Sequence, residues 1–159
     1  MRHTRTFATL ALVLCSLAAA AGFAPAQLRD FPQDQLTLQH GTSRIELQIW
    51  VADTDARQSQ GLMFLTELPQ GYGMLFPLTE PRVMNMWMKN TYVPLDMVFV
   101  GIDGAVLRIA ADTVPQSTDI ISSGAVVGGV LEIRAGESKR LGLKVGDRVL
   151  HRHFGNTNR

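Results

Sequence analysis

The residues with the most chemical potential lie close together between Arg82 and Asp96, in the stretch Arg-Val-Met-Asn-Met-Trp-Met-Lys-Asn-Thr-Tyr-Val-Pro-Leu-Asp. An extended strand over 83–89 alternates its side chains, so Met84, Met86 and Met88 share one face while Asn85, Trp87 and Lys89 share the other. The second face, flanked by Arg82 and continued by Asn90, joins one broad aromatic surface to several hydrogen-bonding groups. Sites for sugars, peptides or small anions use that mixture of apolar platform and placed polar groups. The pattern predicts a ligand-binding surface of Arg82, Asn85, Trp87, Lys89, Asn90 and Asp96. The plainer alternative is a half-covered tryptophan beside a solvated lysine and a turn before Pro94.

For the methionine face the leading expectation is core packing, because thioethers fill irregular gaps. The sharper alternative is a Cu(I) site, since thioether ligands favour that ion. Its candidate ligands are Met63, Met74, Met86 and Met88, with Met97, His40, His151 or His153 in support. Met84 and Met88 would stand ~13 Å apart along a strand, so one or two of this row at most could reach one ion.

Asp96 alternates onto the same side as Val98 and Val100, where a carboxylate needs a partner. The expected role is a clamp for the 90–93 turn, with Lys89 or Arg82 nearby. Acid–base chemistry by Asp96 and Lys89 is the enzyme alternative. No nucleophile stands beside a base, and Ser122-Ser123-Gly124 lacks the setting of a hydrolase serine, so no catalytic residue is assigned. His151 and His153 would share a strand face and could bind a metal, next to a polar chain end. Gly128-Gly129 lacks the strand-to-helix context of a phosphate loop, and no cofactor is expected.

Short strands must position these groups. Residues 44–51 alternate cleanly, with Ile45, Leu47, Ile49 and Val51 on one side. Asp53-Thr54-Asp55 offers caps to a short helix over 56–60, and Gly61 suits its left-handed end. Met74-Leu75-Phe76 is an apolar run that Pro77 should stop. Residues 94–102 and 105–110 flank Asp103-Gly104, the strongest hairpin signal. Further strands are expected at 128–134 and 148–151, with a turn or short helix from 136 to 143. This pattern predicts a mainly β fold, a single compact β-sandwich or barrel-like domain with one or two short helices.

The chain has 159 residues, 46% of them hydrophobic, which is consistent with one domain and argues against disorder. Residues 1–26 read as a signal peptide. A basic start with Arg2 and Arg5 precedes an apolar run too short to span a bilayer, and Ala24-Pro25-Ala26 offers a cut before Gln27. Removing those two arginines from the 15 basic residues leaves 13 against 14 acidic ones, with no basic stripe for nucleic acid. Export to the periplasm or beyond is therefore expected, with no membrane span after cleavage. The lone Cys15 would leave with the leader, so no disulfide is available. An N-terminal extension over 27–43, one β-rich domain over 44–152 and a flexible tail over 153–159 complete the expected organisation.

Gln60-Gly61-Leu62-Met63-Phe64, Gly73-Met74-Leu75-Phe76-Pro77 and Trp87-Met88-Lys89-Asn90-Thr91, followed by Pro94-Leu95-Asp96, occur in order with short spacers. Asp103-Gly104, Val130-Leu131-Glu132-Ile133 and Gly142-Leu143-Lys144-Val145-Gly146-Asp147 continue the series. The set resembles the domain of unknown function 192 family, also known as uncharacterised protein family 0127, over roughly 45–149. The resemblance implies a compact, mostly β domain of jelly-roll-like character, often exported in bacteria, and implies no reaction, ligand or catalytic residue. Met84-Asn85-Met86 departs from it, since a small polar residue beside an aromatic is expected there. The function the sequence favours is an exported, non-catalytic binding or accessory domain whose partner is a small molecule or another exported protein. A Cu(I)-handling protein and an Asp96/Lys89 enzyme are the alternatives.

Overall fold

The computed structural model describes residues 23–157, so the expected leader falls almost wholly outside the described residues. Seven strands form one sheet: β1 (Gln33–His40), β2 (Ser43–Val51), β3 (Tyr72–Met86), β4 (Leu95–Val100), β5 (Val106–Ala110), β6 (Ile121–Arg134) and β7 (Arg148–Leu150). Two short helices, α1 (Asp55–Gln60) and α2 (Glu137–Arg140), interrupt them. The spatial order is β5-β4-β6-β3-β2-β1-β7. All neighbouring pairs are antiparallel except β2 and β3, which run parallel with α1 in the connection.

The sheet curls until its two outer strands meet. Val106 N–H donates to the Asp147 carbonyl at 2.8 Å, Gly146 N–H donates back to Val106 at 2.9 Å, and Ala105 bridges Arg148. Closure of this kind removes exposed strand edges. One face encloses Leu36, Leu38, Leu47, Ile49, Val98, Val100, Leu131, Ile133 and Val149. On the other, Trp50, Met74, Phe76, Met97, Phe99 and Val130 are covered by Leu28 and Phe31 from the N-terminal side and by Leu62, Leu65, Leu68, Met88 and Val93 from connecting loops. The chain is thus a mainly β, barrel-like single domain.

Several element boundaries differ from expectation for identifiable reasons. Residues 27–43, expected as an extension, carry β1, whose Leu36 and Leu38 face Leu47 and Ile45 of β2. Only two apolar residues punctuate that polar strand, so its periodicity is faint. Strand β3 continues through Pro77 rather than stopping there. Strand β2 leaves it at Leu75, so beyond that point a missing N–H interrupts no second ladder. Its pairing with β6 absorbs the irregularity as register shifts between Pro77 and Arg82 and between Val83 and Asn85. Strand β6 starts at Ile121, well before 128, because Ile121 and Ser122 pair with Met86 and Asn85 at the end of β3 and the Ser123 hydroxyl accepts from Met84 N–H at 3.0 Å. The expected loose tail is tied down as far as Asn156. Phe154 enters the core, and the Asn156 amide donates to the carbonyls of Asp103 and Val149, both at 3.0 Å.

Candidate functional site

Thr54 caps α1, its hydroxyl accepting from Arg57 N–H at 3.3 Å. Gln58 of that helix donates to the Pro77 carbonyl at 3.0 Å and so fastens α1 across β3. The helix ends on Gly61, with φ of 50°, and a Cβ there would stand 3.1 Å from Cζ of Phe76. Two of the sequence motifs therefore meet, because only glycine lets the chain turn against the Phe76 ring. Leu62 and Leu65 then drop into the core while Met63 stays beside it. Phe64 N–H donates to the Asn90 carbonyl at 2.9 Å, and both residues adopt positive φ, joining this loop to the one after β3.

Between these parts lies a cleft of about 320 Å³. Gln58, Ser59, Gln60, Gly61 and Met63 form one side, and Met84, Asn85, Met86 and Trp87 at the end of β3 form the other, with Phe76 and Glu132 also in its lining. Glu132 sits mid-strand on β6, opposite Met74 of β3 and Met97 of β4, and is only 4% exposed. It has no hydrogen-bond or ion-pair partner among the described residues. Burial pushes its carboxyl up to about 8, so without a neighbouring cation it holds its proton through neutral pH. In that state it offers one O–H donor and an acceptor oxygen.

The methionine row faces inward: Met86 and Met88 are buried, whereas Asn85, Trp87 and Lys89 are exposed. Of the predicted surface, Asn85 and Trp87 line the cleft, Trp87 remaining 49% exposed. Arg82 is exposed outside the lining and donates to the Glu80 carbonyl at 3.4 Å. Lys89 is exposed and also outside it. Asn90 stands at its margin, its amide 3.9 Å from the Met63 sulfur.

Asp96 is remote from the Trp87 surface. It is completely buried and accepts from Asp112 N–H (2.9 Å), Gly136 N–H (3.2 Å), Ser138 N–H (2.9 Å) and the Ser138 hydroxyl (2.6 Å). It is a clamp, as expected, but it holds the entry to α2 and the segment after β5 rather than the 90–93 turn. Neither Lys89 nor Arg82 pairs with it among the described residues, and with four donors satisfying its oxygens it has no geometry for acid–base work with Lys89.

Among the candidate soft ligands, Met63 and Met86 line the cleft, joined by Met84. Met74, Met88 and Met97 are fully buried, and Met88 sulfur accepts the Thr113 hydroxyl at 3.1 Å. The histidines disperse: His40 pairs with Asp147 at 3.0 Å, His151 with Asp34 at 3.0 Å, and His153 bonds the Gly128 carbonyl at 2.8 Å. Strand β7 ends at Leu150, so His151 and His153 do not share a strand face. No group of three or more His, Cys, Asp or Glu side chains among the described residues is arranged to hold a metal ion.

Over residues 36–151 the chain matches the family domain of unknown function 192, described as uncharacterized ACR. The chain belongs to that family. A solved structure from Sinorhizobium meliloti, provisionally described as a transcription regulator, is similar at 38% identity with a TM-score of 0.75, covering 77% of this chain and 96% of that one. A protein of unknown function from Novosphingobium aromaticivorans is similar at 37% identity with a TM-score of 0.76, covering 83% and 94%. No curated protein matches the chain. Family membership supplies no reaction, so the chemistry rests on the cleft.

Glu132 itself escaped the sequence reading, which saw it only inside the motif Val130-Leu131-Glu132-Ile133. The signal was available. An apolar strand that is covered on both faces hides every member, so a carboxyl within it is buried whichever way it points.

Proposed function

We propose that this protein is an exported, non-catalytic domain that binds a small ligand in the cleft between α1 and the end of β3, where the ligand meets Glu132. The carrying observation is a buried carboxyl that lines an open cleft with no partner among the described residues. Burying such a group opposes folding unless something satisfies it, and a ligand would do so. Asn85 and Trp87 carry over from the predicted binding surface, and Glu132 takes the place expected of Asp96. Export follows from the leader pattern of residues 1–26, and the mature chain would begin at Gln27.

Native mass spectrometry of the chain recovered from a bacterial periplasm without chelator tests this reading. The expected result is a chain starting at Gln27 with a bound small-molecule mass, and loss of that mass in Trp87→Ala. A bare chain whose melting temperature no member of a small-molecule panel raises would contradict it.

A second reading, a Cu(I) carrier, is favoured by one observation: the thioethers of Met63, Met84 and Met86 line the same cleft. It requires sub-micromolar affinity in competition with a Cu(I) chelator under reducing conditions.

A further inference from the structure

We propose that the ligand of this cleft is an organic cation, a primary ammonium group that pairs with Glu132 while its carbon skeleton packs among Phe76, Trp87 and the three methionines. This inference rests on the cleft being a binding site and assigns the class of what it takes.

The charge of the lining points one way. Among the described residues, Asp55 and Glu132 are its only ionisable members, and no lysine, arginine or histidine lines it. The guanidinium of Arg57, on the helix that forms one wall, is engaged by the Asp53 carboxylate and the Asp30 carbonyl, both at 2.6 Å. An anionic ligand would therefore meet carboxyl groups with no counter-charge. A neutral ligand would leave Glu132 a single proton to share. An ammonium group converts the Glu132 carboxyl, which has no partner among the described residues, into a charge-assisted pair, the stronger kind of hydrogen bond. The remaining lining suits the same guest. Aromatic faces attract cations, methionine side chains adapt to irregular apolar shapes, and Asn85, Gln58 and Thr91 offer further acceptor oxygens.

Binding must then move a proton. The free carboxyl enters the reaction protonated and leaves it as a carboxylate beside an ammonium that has kept its own three hydrogens. One proton passes from Glu132 to solvent for each cation bound. Affinity should rise about tenfold per pH unit as pH climbs toward the carboxyl's titration near 8 and then level off.

Isothermal titration of residues 27–159 with benzylammonium, benzyl alcohol and benzoate at pH 6.5, in phosphate and in MES, neither of which carries a primary ammonium group, reads both features. The expected result is binding of benzylammonium alone, with close to one proton released. In Glu132→Gln that affinity should fall at least tenfold and its pH dependence should disappear. Trp87→Ala, a change at an exposed position, should weaken binding while the unfolding transition stays cooperative. If benzyl alcohol binds as tightly as benzylammonium without proton release, the cleft remains a binding site but the cation assignment is wrong. If benzoate binds best, the charge argument is wrong. If none of the three binds at millimolar concentration, the cation assignment and the binding-site reading both fall, and sub-micromolar Cu(I) affinity in that case gives the cleft to a soft metal.

Discussion

Asp96 and Glu132 are buried carboxyl groups on paired neighbouring strands, one register step apart and on opposite faces of the sheet. Asp96 lies opposite Ile133, and Glu132 opposite Met97. The first gathers four hydrogen bonds, while the second has none among the described residues. One sheet thus contains a carboxylate built for structure and a carboxyl left available to a cleft, and the two should respond to substitution in opposite ways.

Replacing Asp96 with Ala leaves three backbone N–H groups and the Ser138 hydroxyl without their acceptor. Each unsatisfied buried donor costs about 1–3 kcal/mol, so a loss of roughly 3 kcal/mol or more is expected even if water reaches some of them. Asp96→Asn keeps the shape but turns an amide NH₂ toward donors, and should lie between Ala and the native chain. Urea unfolding followed by far-UV circular dichroism measures both.

Glu132→Gln should stabilise the chain, and increasingly so as pH rises. The folded carboxyl titrates at about 8, above its ordinary 4.5, so between those values the folded state holds a proton that the unfolded state has lost. Its stabilising contribution is therefore complete below about pH 4.5 and declines by about 1.4 kcal/mol per unit as pH rises toward 8. His151 acts with the opposite sign. Burial lowers its pKa despite the opposing pull of Asp34, so its contribution is present above 6.5 and fades as pH falls. Both chains keep His151, so subtracting their stability curves from pH 4 to 9 isolates Glu132. A flat difference would show that the carboxyl is solvated in the folded chain.

Gly61→Ala tests whether the cleft wall depends on the turn against Phe76. The substitution forces a side chain into positive φ and places a methyl 3.1 Å from the ring. Strain at such a position costs about 1–3 kcal/mol, and ligand binding should weaken together with stability. Gly41→Ala also has positive φ but has nothing within 4 Å. It should show the backbone penalty alone, with binding intact.

The two tryptophans should separate cleanly. Trp50 is 2% exposed and stacks on Tyr72 with ring centroids 5.6 Å apart, so Trp50→Ala should cost about 3–5 kcal/mol. Trp87→Ala, at a half-exposed position, should fall within about 0.5 kcal/mol of the native chain. Thermal unfolding of the two variants decides between core and surface roles.

Much of the fold was legible because alternation carries information wherever one face of a strand is covered and the other is not. The pattern over 44–51 and the inward methionines opposite Asn85 and Trp87 are of this kind. Asp103-Gly104 marked its hairpin as well, although the turn spans Gly101 to Ala105, closed by a 2.7 Å bond between them. Legibility ended where both faces are buried. Along Val130-Leu131-Glu132-Ile133 alternation is silent, and the decisive residue of the cleft stood there unremarked. Arg82, Lys89 and Asp96 were drawn to the site by proximity in sequence, but strand direction sends the first two outside the lining and the third to the far face of the sheet. Strand β1 was missed because Leu36 and Leu38 alone mark its buried side.

Both the binding site and its cation rest on Glu132 being a buried, proton-bearing carboxyl with no partner among the described residues. Carbon-detected NMR of its side-chain carboxyl, assigned by its loss in Glu132→Gln and followed from pH 3 to 10, answers this directly. The predicted midpoint is about 8 in the free chain, moving downward when benzylammonium is added. A midpoint near the ordinary 4.5, unmoved by the cation, would contradict both the burial and the role assigned to this residue.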